Sequence, residues 1–328
     1  MKYFSLICLI SLIFCAKNLQ RAKEISAYVN SLNTTWKATE KSFDTDGYLG
    51  TFLRGQENVI PKKTKFSVSL SDLPSSFDLR DAYPNCESLK EIRDQSKCGS
   101  CWAFGAAETM SDRICIKSGQ KLQTRVSPQH LVTCCSICGF GCSGGWPSMA
   151  FYSWWWSGVP TGGLYGDTKT CKPYFLPPCE EHPHKCTDYV DTPACENVCQ
   201  ESYNKTVEED LSFGESVYSV SGEEDIMKEI YEYGSVEGSF EVYEDFEEYK
   251  SGIYQYTTGS LLGGHAIKII GWGEENGVKY WLIANSWGEN WGEKGFFRML
   301  RGNNECGIEE SASTGIAKLD EEKLKYLE

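Results

Sequence analysis

The stretch Asp94-Gln-Ser-Lys-Cys-Gly-Ser-Cys-Trp102 guides the interpretation of the whole chain, because it joins a helix-start signal to two cysteines. Ser100 is a favourable N-cap residue, and apolar residues recur after it at helical spacing, so we expect a helix from about Cys101. The partial positive charge of a helix N-terminus stabilises a thiolate, the nucleophilic form of cysteine. In a cysteine-rich chain a given cysteine is more often part of a disulfide. The position at a helix start distinguishes Cys101 from the other cysteines and makes it the candidate nucleophile.

A cysteine nucleophile needs a histidine partner, and His265 opens an expected strand. A second expected strand ends at Asn285, and Asn276-Gly277 between the two strands favours a tight hairpin. An ideal two-residue turn places Asn285 opposite Lys268, close to His265 without facing it. A bulge or a longer loop would bring the two side chains face to face, and the sequence leaves this register open. The expected chemistry is a Cys–His–Asn arrangement, in which the amide orients the imidazole.

Composition and charge exclude several classes of protein. The chain has 328 residues, of which 41% are hydrophobic and 24% charged, as in a globular protein with a sizeable core. Its net charge of −14 disfavours nucleic acids and anionic membrane surfaces as partners, because both require a basic face. Beyond the N-terminus, no apolar run is long enough to predict a membrane span.

The N-terminus is typical of a secretory signal peptide, which we place at residues 1–16. Its apolar run, residues 3–14, spans 12 residues and is too short to cross a bilayer. Two of the 16 cysteines lie in this signal, and the other 14 lie between Cys86 and Cys306. Behind a secretory signal such a density indicates a disulfide framework. The chain also carries glycosylation sequons at Asn33 and Asn204.

The distribution of cysteines divides the chain, because residues 17–72 contain none. We expect these residues to form a separate segment and residues 73–328 to form the main domain. In the first segment Ile25, Val29 and Leu32 share one face of an expected helix, which is too short to be stable alone. In the main domain we expect helices from Ser100, from Ser127 and over residues 223–233, and strands over residues 265–272 and 279–285.

Four motifs, taken together, resemble the papain family of cysteine peptidases, and most closely its cathepsin B-like members. They are Gln95, Cys-Gly-Ser-Cys-Trp at 98–102, Gly-Gly-His-Ala at 263–266 and Asn-Ser-Trp-Gly at 285–288. The resemblance covers most of residues 22–316. It implies an α+β fold of two lobes, one helical and one β-barrel-like, with substrate in the cleft between them. It also implies a cysteine endopeptidase made as a zymogen, lysosomal or secreted, with residues 17–72 as its inhibitory propeptide.

The resemblance assigns a role to each matching residue. Cys101 would attack the scissile carbonyl, His265 would protonate the leaving amine, and Asn285 would orient His265. The Gln95 side chain and the Cys101 backbone N–H would form the oxyanion hole. The other expected residues of the substrate site are Gly144, Gly145, Trp287, His182 and Ser311.

The resemblance also implies a set of disulfides and partners. No cofactor and no metal are expected, and the expected partners are polypeptide substrates, the chain's own propeptide and cystatin-type inhibitors, with a monomeric enzyme. Cys101 and Cys306 would remain free. The expected bridges are Cys86–Cys115, Cys98–Cys142, Cys134–Cys195, Cys135–Cys138, Cys171–Cys199 and Cys179–Cys186.

The main departure from the family lies at residues 179–193, which correspond to the occluding loop of cathepsin B-like enzymes. That loop carries a pair of histidines that binds the C-terminal carboxylate of a substrate. Here Glu181 stands at the first position, and only the second histidine, His182, is retained. A charged Glu181 would repel both Asp94 and a substrate carboxylate. Asn290 replaces the aspartate of a second loop anchor, so we expect weakened dipeptidyl carboxypeptidase activity.

A second departure from the family lies at Ser311, and two other functions were considered for the chain. Ser311 stands where related enzymes have a glutamate that accepts arginine, so the preference for basic residues should weaken. A catalytically inactive, disulfide-rich binding homologue would require the loss of a catalytic residue. A zinc site built from the cysteines at 134, 135, 138 and 142 is disfavoured by the secretory signal.

Overall fold

The computed structural model describes residues 19–39, 45–55, 59–179 and 189–319. Two hydrophobic cores organise these residues, one among helices and one on a sheet. The helices are α1 (residues 19–31), α2 (Leu79–Ala82), α3 (Cys101–Lys117), α4 (Pro128–Cys134), α5 (Pro147–Trp156), α6 (Val207–Asp210) and α7 (Glu223–Tyr233). The strands are β1 (Trp36–Ala38), β2 (Phe77–Asp78), β3 (Phe213–Val220), β4 (Val236–Tyr243), β5 (Tyr249–Tyr254), β6 (Leu261–Glu275), β7 (Val278–Ala284), β8 (Phe296–Leu300) and β9 (Ala312–Lys318).

The helical core surrounds α3, which is buried along nearly its whole length. Ser100 is its N-cap residue, as expected, but the Ser100 hydroxyl bonds Tyr174 at 3.0 Å and does not cap the helix. Helix α4 follows the predicted pattern more closely, because the Ser127 hydroxyl accepts the His130 N–H and Pro128 occupies the first turn.

The sheet core is formed by an open sheet in the order β1-β5-β8-β7-β6-β4-β9-β3, with β2 paired to β6. Strands β5 and β8 are parallel, and the other pairs are antiparallel. The resemblance implied a barrel-like lobe, whereas the described strands do not close. β1 and β3 lie at the two edges of the sheet.

The hairpin of β6 and β7 contains an irregularity that decides the register of the site. From the Asn276-Gly277 turn the pairing is regular as far as Gly271, which faces Leu282. Ile270 is then an extra residue, so that Lys268 faces Ala284 instead of Asn285. Continuing this register by one residue brings Asn285 onto the face of the sheet that carries His265, because side chains alternate along a strand.

The N-terminal segment, meaning the described residues up to 72, lies along both cores. Ile25 and Val29 of α1 are buried, as the helical pattern predicted, and Ala22 is buried as well. Leu32 follows the helix and is 37% exposed, so its assignment to the buried face was wrong. Strand β1 pairs with β5 at one edge of the sheet.

Five disulfides connect the expected partners within the described residues. Cys101 and Cys306 are the free cysteines of this part of the chain, also as expected. The sixth expected bridge, Cys179–Cys186, involves Cys186, which lies outside the described residues. The bridges are Cys86–Cys115, Cys98–Cys142, Cys134–Cys195, Cys135–Cys138 and Cys171–Cys199.

None of the helices in the described part of the chain is both long enough and apolar enough to cross a membrane.

Candidate active site

Cys101 is the first residue of α3, where the helix N-terminus meets the sheet. Its side chain is fully buried, and its Sγ lies 3.1 Å from the Thr51 hydroxyl oxygen. Thr51 belongs to the N-terminal segment, so a residue of that segment covers the candidate nucleophile. The sequence placed Thr51 within the expected propeptide, residues 17–72, but nothing in it singled out this residue.

His265 and Asn285 are brought together by the bulged register of β6 and β7. The Nε2 of His265 lies 2.8 Å from the Oδ1 of Asn285, and both side chains are buried. The indole of Trp287 stacks on the imidazole with ring centroids 4.5 Å apart, which closes one side of this contact to water. The Nδ1 of His265 has no hydrogen-bond partner among the described residues, so this nitrogen is available for a proton transfer.

Gln95 lies on the loop before α3 and connects the two parts of the molecule. Its Oε1 accepts the Ser286 hydroxyl at 2.7 Å, and its backbone N–H donates to the Ser286 carbonyl at 2.9 Å. Its Nε2 donates to the backbone carbonyls of Cys98 and Tyr48, both at 2.8 Å. The amide of Gln95 therefore already holds a carbonyl oxygen of the N-terminal segment. Ser286 is a supporting residue that the sequence did not single out, although it lies within the Asn-Ser-Trp-Gly motif.

The segment around Thr51 forms backbone hydrogen bonds on both sides of the cleft. The Gly145 N–H donates to the Gly50 carbonyl at 2.8 Å, and the Phe52 N–H donates to the Gly145 carbonyl at 3.0 Å. On the sheet side, the Thr51 N–H donates to the Gly264 carbonyl at 3.1 Å. The pairing of Thr51 with Gly145 is parallel.

Close approach explains the glycines at 144 and 145. A Cβ on Gly145 would lie 2.6 Å from the Cys138 carbonyl oxygen and from the Trp102 ring. A Cβ on Gly144 would lie 2.9 Å from the Gly50 carbonyl oxygen, on the side where the segment binds. A side chain at position 144 would therefore push the segment away, whereas one at position 145 would clash within the helical part itself.

Burial controls the charge of the two central groups. Burial raises the pKa of the Cys101 thiol above its usual value, although the hydrogen bond to Thr51 opposes the shift. Burial also lowers the pKa of the His265 imidazole to about 4, against the opposing hydrogen bond to Asn285. In this form of the chain both groups are therefore uncharged near neutral pH.

The remaining predicted site residues are less central. Ser311 is exposed. His182 and Glu181 lie outside the described residues. Asp94, the expected anchor of the segment at 179–193, accepts the Cys179 N–H at 3.1 Å. Asp94 and Asn290 both line a cavity of about 230 Å³ between the two parts of the molecule.

The sequence also raised two glycosylation sites and one possible zinc site. Asn33 and Asn204 are exposed, as an acceptor for a glycan must be, and their modification remains a prediction. Cys134, Cys135, Cys138 and Cys142 are all in disulfides and so are not zinc ligands. Elsewhere in the described ranges no group of three His, Cys, Asp or Glu side chains is arranged to hold a metal ion.

Comparison with known proteins places the chain among cysteine peptidases. The model of the papain family of cysteine proteases matches residues 73–316. "Cathepsin B-like cysteine proteinase 6" of Caenorhabditis elegans is 52% identical over 257 residues, covering 76% of this chain and 68% of the relative. A "Cathepsin B-like cysteine proteinase" of Schistosoma japonicum is 49% identical over 253 residues, covering 75% of this chain and 74% of the relative.

A solved structure extends the likeness to the N-terminal segment. It is "proCathepsin B S9 from Trypanosoma congolense", which superimposes with a TM-score of 0.79 at 35% sequence identity. The superposition covers 90% of this chain and 98% of that one, so it includes residues before 73. The chain therefore belongs to the papain family of cysteine proteases, as a cathepsin B-like member with an N-terminal pro-segment.

Proposed function

We propose that the chain is the zymogen of an endopeptidase that cleaves peptide bonds through Cys101, His265 and Asn285, with residues 17–72 as its propeptide. The observation that carries this proposal is the position of Thr51. Its hydroxyl contacts the Cys101 Sγ at 3.1 Å, its own N–H bonds the sheet side of the cleft at Gly264, and its neighbours bond the helical side at Gly145. A peptide substrate would take the same channel once the segment had left.

In the proposed reaction the Cys101 thiolate attacks the carbonyl carbon of the substrate, forming a C–S bond. Imidazolium of His265 gives its proton to the leaving amine, and an acyl-enzyme remains. Water then attacks the acyl carbon, His265 accepts its proton, and the thiol is regenerated with release of the acid. The Gln95 Nε2 and the Cys101 N–H would stabilise the oxyanion, a role supported by the carbonyl that Gln95 already holds.

The geometry also supports an explanation of why the zymogen is inactive. The atom beside the Cys101 Sγ is the hydroxyl oxygen of Thr51, which is not an electrophile, so the sulfur has no carbonyl carbon to attack there. Exclusion of water keeps both the thiol and the His265 imidazole neutral. Opening the cleft would rehydrate them and so favour the thiolate–imidazolium pair.

The specificity proposals follow the two departures from the family. With Glu181 in place of histidine and Asn290 in place of aspartate, we propose weak release of C-terminal dipeptides beside stronger endopeptidase activity. Ser311 stands where related enzymes have a glutamate that accepts arginine. We therefore propose a reduced preference for arginine at the second residue before the cleaved bond. His182 would supply what carboxylate binding remains.

We also propose that the enzyme is a monomer of the secretory pathway, lysosomal or secreted, and is inhibited by cystatin-type proteins. The signal-like residues 1–16 support this compartment. So do the five disulfides, since such bridges persist in oxidising surroundings.

The experiment is an assay of the processed enzyme from pH 4 to 8 on matched internal and C-terminal substrates. Cys101→Ala, freed of its N-terminal segment by an added protease, should show no hydrolysis, whereas activity retained in this variant would contradict the proposal. Efficient sequential release of dipeptides, lost in His182→Ala, would overturn the specificity proposal. Equal or faster cleavage after Arg-Arg than after Phe-Arg would overturn the role given to Ser311.

A further inference from the structure

The N-terminal segment makes a second, separate contact at the far edge of the sheet. The Lys63 N–H donates to the Ser219 carbonyl, and the Ser219 N–H donates to the Pro61 carbonyl, both at 2.9 Å. Lys62 pairs with Ser219 in parallel register, so residues 61–63 extend the sheet beyond β3. Strand β3 is separated from β6, which carries His265, by β9 and β4. This contact therefore lies away from the catalytic cleft.

The Lys63 side chain enters a site built from an acid and aromatic rings. Its Nζ lies 2.7 Å from the Glu229 Oε2, and the Glu229 side chain is fully buried. The same ammonium lies 3.9 Å from the centre of the Tyr233 ring and 4.8 Å from that of Tyr218. Contacts of this kind combine an ion pair with cation–π attraction, which suits a lysine. The neighbouring Lys62 side chain is exposed, so the site is specific for position 63.

The acid of this site is held in place without help from Lys63. The Glu229 Oε1 accepts the Arg113 Nη1 at 2.8 Å and the Tyr218 hydroxyl at 2.7 Å. Arg113 is in turn fixed by the backbone carbonyls of Ser235 and Gly234. The Oε2 remains directed at Lys63. Helix α7 ends at Tyr233, and the negative end of a helix dipole favours a cation there.

We propose that the edge of β3, with Glu229, Tyr218 and Tyr233, is a binding site for an extended peptide that carries a lysine. Lys63 fills this site in the zymogen. In the processed enzyme the site is open to a lysine-bearing segment of a polypeptide substrate, away from the cleft. Backbone pairing at the edge supplies affinity, and the pocket selects the side chain. The open state rests on the proposed function, because it requires removal of residues 17–72.

The first experiment uses the full chain with Cys101→Ala, so that the proposed peptidase activity cannot remove the segment. Hydrogen exchange at the backbone amides of Lys63 and Ser219 reports whether the edge contact is closed. Lys63→Met keeps the length of the side chain and removes its charge, so exchange should accelerate on the order of tenfold or more. The control, Lys62→Met, should leave the exchange rate unchanged. Equal rates in both variants would overturn the proposal.

The second experiment uses processed enzyme whose Cys101 has been alkylated, so that the cleft chemistry plays no part. A fluorescent peptide of residues 59–68 should bind, with affinity reduced at least tenfold by Lys63→Met and unchanged by Lys62→Met. Equal binding of the two substituted peptides would overturn the open site. A chain that is never processed would contradict the proposed function instead, and the exchange experiment would still test the lysine site.

Discussion

At the scale of single residues, the cleft opposes the ionisation that the proposed reaction needs. Burial raises the pKa of Cys101 and lowers that of His265 to about 4, so the pair stays neutral in the intact chain. Asn285 favours the charged imidazole, but its hydrogen bond does not outweigh the loss of water. Control of this site is therefore a matter of access for water as much as of steric blocking.

Alkylation of Cys101 should report this directly. In the intact chain iodoacetamide should react at least 100-fold more slowly at pH 6 than in the processed enzyme, because only the thiolate reacts. The rate in the intact chain should rise toward alkaline pH, as expected for a raised thiol pKa. The measurement is made in a Cys306→Ser background, which removes the other free cysteine of the described residues. Equal rates in the two forms would contradict it.

At the scale of elements, the sequence predicted the helices and strands better than it predicted the register in which the strands pair. Helix α7 was predicted at residues 223–233, where it lies, and the hairpin was placed correctly by its Asn-Gly turn. The sequence left the register of the hairpin open and did not place the bulge at Ile270. Ile269 and Ile270 are both apolar, and both are buried. With two such residues in succession, the pattern of the sequence does not show which one is extra. Yet this residue decides whether Asn285 faces His265.

Gly50, next to Thr51, offers a test of how tightly the N-terminal segment fits in the cleft. A Cβ on Gly50 would lie 1.8 Å from the Gly99 carbonyl oxygen, which the backbone cannot tolerate. Gly50→Ala should therefore lift the segment from the cleft and speed labelling of Cys101 in the intact chain by about tenfold or more. Arg54→Ala, at an exposed position of the same segment, is the matched control and should label at the original rate. Slow labelling of both variants would refute the tight fit.

At the scale of the molecule, the helical part and the sheet meet through buried charges. Helix α3 packs on β6, β9 and β4, and the Lys268 ammonium lies 3.1 Å from Asp112 and 3.7 Å from Glu108. Burial raises the pKa of Glu108 to about 7, with Lys268 and Arg93 opposing the shift and Asp112 and Glu91 adding to it. None of these pairings was predicted, because sequence patterns do not reveal which charges become buried together.

Glu108 should make the stability of the molecule depend on pH. Its pKa is about 7 in the folded chain against an ordinary value of 4.5, so the folded state binds more protons between these values. Stability should therefore fall as pH rises through this window, by at most ~3 kcal/mol from this group. Thermal unfolding of the Cys101→Ala chain at pH 4.5 and 7.5 measures the change. Glu108→Gln should reduce it and the exposed Glu201→Gln should not; an unchanged slope in Glu108→Gln would contradict the assignment.

The N-terminal segment holds the enzyme at three places: β1 on one edge of the sheet, Thr51 in the cleft, and Lys63 on the other edge. Such binding is multivalent, and each anchor raises the effective concentration of the next. A single cut between Thr51 and Lys63 would convert the part of the segment that lies in the cleft from an intramolecular ligand into a dissociable one. The fraction of molecules with an open cleft would then depend on dilution, so activation would be more complete in a dilute sample than in a concentrated one.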